Sequence, residues 1–129
     1  MSDYRDFVIK NGKFVGAFEE MYRRVDDPWR QRDESVYYPS REIAALLLRN
    51  REIRTLLDMG CGTGALTARF VTDLSARVIG IDTSRTAMRQ LRRDHAHVGC
   101  VVANVPPVPV KTGAVDAVVS SELLWYVLP

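Results

Sequence analysis

The chain has little of what marks the specialised protein classes. Cysteine appears twice in 129 residues, as Cys61 and Cys100. That excludes a disulfide framework and fits a reducing, cytoplasmic setting. Lysine is scarce: only Lys10, Lys13 and Lys111 join a basic set that is otherwise arginine. Eighteen basic residues against 16 acidic ones leave a net charge of +2. A balance that even argues against nucleic acid as the partner. The longest aliphatic run, Ile43 to Leu48, falls far short of the ~20 apolar residues a membrane span needs. The segment Met1 to Asp6 is charged and lacks the apolar stretch of a signal peptide. Repeats and low-complexity segments are missing too. What remains is ordinary: 47% apolar and 26% charged residues, the composition of one globular domain and not of a disordered chain.

The hydrophobic pattern divides the chain near residue 53. In the first part, Phe14, Phe18, Met21, Tyr22 and Val25 form one helical stripe. Asp27-Pro28 stops it, because the residue before proline leaves the helical region. A polar stretch with Trp29, Tyr37 and Tyr38 follows. Ser40 is the expected N-cap of a helix with Ile43, Leu46 and Leu47 on one face. Residues 1–53 therefore read as a helical lid segment, with the aromatics either anchoring a loop or covering a ligand.

From Arg54 on, short apolar runs alternate with helical stripes. Thr55-Leu56-Leu57, Arg77 to Ile81, Val98 to Ala103 and Val115 to Val119 read as four strands. Leu66, Phe70 and Leu74 stripe one intervening helix; Ala87, Met88 and Leu91 stripe another, capped by Thr83 or Ser84. A proline-rich loop, 104–113, precedes the fourth strand, and a short helix begins near Glu122. Alternation of this kind predicts an α/β fold with a parallel sheet.

Asp58-Met59-Gly60-Cys61-Gly62-Thr63-Gly64 closes the first strand and opens a helix. Glycines there permit positive φ and close ligand approach. The N–H groups of the helix start are expected to face an electron-rich ligand group. Asp82 ends the second strand, where a carboxylate suits the two hydroxyls of a ribose. Gly60, Gly62 and Ala65 also satisfy the dinucleotide pattern, so an NAD-type oxidoreductase stays open at this point. A charged Asp58 before the loop and a third glycine at Gly64 depart from it.

Leu56 to Gly64 resembles the first motif of the seven-stranded, Rossmann-like S-adenosylmethionine-dependent methyltransferases, and Val78-Ile79-Gly80-Ile81-Asp82 resembles the second. The resemblance implies S-adenosyl-L-methionine as cofactor and S-adenosylhomocysteine as product. It puts the methionine end near Asp58, Gly60, Cys61, Gly62 and Gly64, and the ribose at Asp82 with Thr83 beside it. Asn104-Val105 falls where the family has an acid contacting the adenine amino group; the Asn104 side-chain carbonyl can accept the same bond. Trp29 is the aromatic expected against the cofactor if the segment acts as a lid and not as a loop anchor. Phe18 to Tyr22, Asp27-Pro28-Trp29 and Ser120 to Tyr126 are similar to a subgroup containing the nodulation N-methyltransferase, which methylates an amino sugar. The acceptor implied is a small molecule or sugar, methylated on N or O.

Glu122, just past the fourth strand, is the catalytic candidate as acceptor-side base, with Ser121 and Tyr126 behind it. Its alternative role is an acid favoured at a helix start. His95, His97 and Cys100 complete no metal set, so no metal is expected. Cys61 has no neighbouring base to make it a nucleophile. Arg85, Arg89, Arg92 and Arg93 read as a solvated face. A third reading is a non-catalytic cofactor-binding module docked on a partner. The resembled fold has seven strands and residues 54–129 supply four, in the expected order third, second, first, fourth. The domain is expected to be incomplete, its apolar fourth strand lacking edge protection and expecting cover from self-association or a partner chain.

Overall fold

The computed structural model describes residues 4–127, so Met1 to Asp3, Leu128 and Pro129 lie outside it. The chain runs α1 (Arg5–Val8), β1 (Ile9–Lys10), β2 (Lys13–Phe14), α2 (Phe18–Arg24), α3 (Pro39–Leu48) and β3 (Thr55–Met59). It continues α4 (Ala65–Leu74), β4 (Arg77–Asp82), α5 (Arg85–Asp94), β5 (Gly99–Val102), β6 (Ala117–Ser120) and α6 (Leu124–Val127).

The four long strands pair in parallel in the order β5-β4-β3-β6. This is the anticipated third, second, first, fourth order. β3 has neighbours on both sides, so Leu56 and Leu57 are fully buried. Phe70 of α4 and Val78 of β4 close one side of that core with Leu56 and Leu66. Leu91 and Met88 of α5 pack with Cys61 and Val98. Ser84 caps α5, its Oγ accepting from Ala87 N at 3.1 Å.

Several elements differ from the hydrophobic pattern. Phe14 leaves the predicted helical stripe for a small antiparallel hairpin, β1–β2, and Val25 is already extended. Met21 and Tyr22 remain, and they pack with Val8 and with Ala87 of α5. Tyr38, rather than Ser40, is the N-cap of α3, because Pro39 occupies the first helical turn. The fourth strand starts at Ala117, not Val115. Asp116 Oδ2 accepts from the N–H groups of Arg54 and Thr55 at 2.9 and 2.8 Å, so Asp116 closes a turn against β3. α6 begins at Leu124, two residues past Glu122.

On its far side β6 pairs with no strand among the described residues, and Val118 is 53% exposed. No helix of the described residues is long and apolar enough to cross a membrane.

Candidate functional site

The loop after β3 passes over the end of β4, and its hydrogen bonds are spent there. Gly60 N and Cys61 N donate to Ile81 O at 2.8 and 3.1 Å. Gly62 N donates to Asp82 Oδ2 at 2.9 Å, and Gly64 N to Cys61 O at 3.0 Å. These four N–H groups brace the loop and are not offered to a ligand; the helix start expected to face one begins only after them, at Ala65. All three loop glycines have positive φ and no room for a Cβ, which at Gly60 (φ 69°) would lie 2.8 Å from Leu123 Cδ1. At Gly62 (φ 56°) a Cβ would lie 2.7 Å from Tyr22 Oη. At Gly64 (φ 90°) it would run into the Leu91 side chain. Cys61 is buried beside them, and burial pushes its thiol well above the ordinary range, which suits packing rather than attack.

Asp58 lies beneath the loop, 2% exposed, with Thr67 Oγ1 donating to Oδ2 at 2.7 Å. Burial pushes its carboxyl up to about 7, against the Thr67 hydrogen bond and helped by the negative charge of Asp82. Asp82 is also buried. Its Oδ1 accepts from Ser84 N and its Oδ2 from Gly62 N, each at 2.9 Å. Burial raises this carboxyl despite those backbone donors. Each oxygen retains a lone pair for a further donor.

A cleft of about 640 Å³ opens over these two carboxylates, the size of a small-molecule site. Asp58, Gly60, Cys61, Gly62, Asp82, Thr83, Asn104, Val105, Trp29 and Glu122 all line it. Gly64 does not; it supports the loop from behind. On the rim Thr83 Oγ1 donates to Asn104 Oδ1 at 2.7 Å. Trp29 Nε1 donates to Tyr22 Oη at 3.1 Å, and its ring meets Tyr4 edge-on at 4.9 Å. Tyr38 joins the same wall, whereas Tyr37 is 72% exposed and lies outside it. Opposite, Tyr126 stacks on Phe14 at 5.9 Å and meets Phe18 edge-on at 5.3 Å. Glu122 sits at the carboxyl end of β6 with φ 57°, an uncommon conformation for a side-chain-bearing residue. It lies two residues before α6, so both roles expected for it, acceptor-side base and acid near a helix start, remain.

Two lining residues escaped the pattern reading. Tyr22 was visible only as part of a stripe, yet its hydroxyl stands over Gly62. Arg41 Nη1 donates to Gln31 O at 3.3 Å, and its guanidinium lies 4.0 Å over the Tyr38 ring. Its Nη2 is buried with no hydrogen-bond partner among the described residues. Nothing in the local sequence separates Arg41 from its surface neighbours.

The family model of a methyltransferase domain matches residues 56–129. The chain belongs to the S-adenosylmethionine-dependent methyltransferase family. The probable cobalt-precorrin-6B C(15)-methyltransferase (decarboxylating) of Saccharolobus solfataricus is 36% identical over 80 residues, 58% of this chain and 40% of that relative. Among solved structures, the plantazolicin methyltransferase BpumL, in complex with a desmethyl analogue of plantazolicin and S-adenosylhomocysteine, has a TM-score of 0.56 at 19% identity. That match covers 74% of this chain and 39% of BpumL. The sugar N-methyltransferase KedS8 from Streptoalloteichus has a TM-score of 0.50 at 25% identity, covering 61% of this chain and 32% of KedS8. This family member thus spans about 40% of the length of the first relative it matches.

Proposed function

We propose that residues 54–129 are the cofactor-binding part of a cytoplasmic S-adenosylmethionine-dependent methyltransferase, with residues 1–53 as its lid. The acceptor is the nitrogen or oxygen of a small molecule or sugar. One observation carries the reading: a buried carboxylate, Asp58, lies beneath a glycine loop in which the N–H groups of Gly60, Cys61, Gly62 and Gly64 are bonded within the protein. A dinucleotide pyrophosphate needs free N–H donors at that position. Here Gly60, Cys61 and Gly62 have none to offer, and an acid stands behind them, which favours a cationic ligand end instead.

The residues fit the group the family uses. Asp58 answers an ammonium, Arg41 Nη2 a carboxylate, and Asp82 a pair of ribose hydroxyls. Thr83, Asn104 and Val105 border the adenine side. Trp29 and Tyr22 wall the cleft and exclude water. When bound, S-adenosylmethionine supplies a methyl group on a sulfonium, which leaves as a neutral thioether. Alignment is then the chief requirement on the protein. An acceptor N–H or O–H must also lose its proton, and the Glu122 carboxylate at the acceptor end is placed to take it. The likeness to KedS8 and the Phe18–Tyr22 and Asp27–Trp29 motifs support a sugar-type acceptor.

Calorimetric titration tests the cofactor. S-adenosylhomocysteine is expected to bind and NADH is not; the reverse result returns the chain to the oxidoreductase reading. Arg41→Met should weaken S-adenosylhomocysteine by about 10- to 100-fold. It should leave 5′-methylthioadenosine, which lacks the amino-acid end, nearly unchanged.

A further inference from the structure

Three acidic side chains tie residues 1–53 to the helices beside the sheet: Asp26 accepts from Gln90 Nε2 at 2.8 Å, Glu42 pairs with Arg69, and Glu19, which none of the expected site roles uses, bonds the Asp82 turn itself. Glu19, on α2, reaches across to the start of α5. Its Oε2 accepts from Ser84 Oγ at 2.7 Å and from Thr86 N at 3.0 Å. Its Oε1 accepts from Thr86 Oγ1 at 2.8 Å. These bonds join residues 65 and 67 positions apart, and charge-assisted bonds to an ionised acceptor are the strong kind. A carboxylate at this helix start is also favoured by the helix dipole.

The contact closes a ring. Ser84 N, two residues past Asp82, holds Asp82 Oδ1, and Asp82 Oδ2 holds Gly62 N. Above Gly62 stands the Tyr22 hydroxyl, which accepts from Trp29 Nε1. Tyr22 lies one helical turn after Glu19 on α2, so the ring returns to its start. One turn of helix thus ties the aromatic wall to the carboxylate at the end of β4. Glu20, the next residue, is half-exposed and pairs within its own helix, with Arg24 at 2.5 Å.

We propose that Glu19 is a positioning residue that clamps the N-terminal lid onto the Asp82 turn and so holds Tyr22 and Trp29 over the glycine loop. The inference rests on the reading of this cleft as the cofactor site. Without the clamp, α2 populates open arrangements, and apparent cofactor affinity falls by the fraction that remains closed.

The experiment uses the full chain with Trp125→Phe, leaving Trp29 as the only indole. Acrylamide quenching reports lid closure in the free protein, and titration with S-adenosylhomocysteine reports affinity. Glu19→Ala is expected to raise Trp29 quenching and to weaken S-adenosylhomocysteine about tenfold. Thr86→Val should give a smaller effect of the same kind. The double variant should be no weaker than Glu19→Ala alone, because both changes cut one contact. Glu20→Ala should change neither readout. Unchanged quenching in Glu19→Ala, additive losses in the double variant, or an equal effect of Glu20→Ala each overturn the clamp. Should Glu19→Ala lose its cooperative unfolding transition, Glu19→Gln, which keeps one acceptor oxygen, takes its place in the same cycle. Failure of the parent chain to bind S-adenosylhomocysteine overturns the cofactor reading, while the quenching arm still decides the clamp.

Discussion

The two flanks of the sheet have similar apolar content and opposite fates. Around β3 and β4, Leu56, Leu57, Ile81, Phe70 and Leu91 are fully buried. Around β6, Ala117 and Val119 pack on the core, but many apolar residues face outward: Ile43, Leu46 and Leu47 of α3 are 56%, 59% and 66% exposed, and Trp125 of α6 is 80% exposed. The helical stripe expected on α3 exists, but a different face is used. Ala44, Ala45 and Leu48 turn to the core instead. Glu42 pairs with Arg69 of α4, which also bonds Asp73, and this fixes the rotation. Periodicity determines which residues share a face; a neighbour determines which face is buried.

The largest expected effect tests the buried flank. Phe70→Ala should cost about 3–5 kcal/mol in urea unfolding, the usual loss for emptying an aromatic core site. A loss below about 1 kcal/mol would mean the two flanks are equally loose.

Next in size is the polar residue inside that flank. Asp58 titrates near 3.8 when unfolded and about 7 when folded. The folded state therefore holds a proton that the unfolded state has released between those values. Stability from this group is present at the acid end of that window and falls as pH rises through it. Unfolding free energy of the parent, relative to Asp58→Asn at each pH, should drop between pH 4 and 7, by up to about 4 kcal/mol. A flat difference would place the Asp58 titration in its ordinary range.

The smallest effect belongs to the outer flank. Leu46→Ser should change stability by no more than about 0.5 kcal/mol, because the side chain is already in water. A change of 2 kcal/mol or more would mean that this face is covered in solution.

Much of the molecule was legible before any coordinates. The four strands and their parallel arrangement followed from apolar runs and the intervening stripes, and their order from the resemblance to the seven-stranded methyltransferases. The glycine loop and Asp82 followed from their spacing, and they do meet in one cleft. What escaped was set by contacts between distant segments. The loop N–H groups looked free because their acceptors, Ile81 O and Asp82 Oδ2, lie on another strand. Arg41 and Tyr22 are unremarkable in their own segments and join the cleft only once α2 and α3 are docked. Glu19 and Glu20 are identical neighbours in sequence, yet one bonds to a helix start 65 residues away and the other is half-exposed and pairs with Arg24.

The sequence by itself determined the parallel sheet and the position of the two carboxylates. Strand-length apolar runs, glycine conformations and an acid at a strand end are local matters with periods of two or about 3.6 residues. Tertiary structure alone decided which loop N–H groups are bonded internally, which face of α3 was buried, and which of two adjacent glutamates bonds to α5. Each of those depends on what stands opposite, and a hydrogen bond or a buried face needs both partners in place.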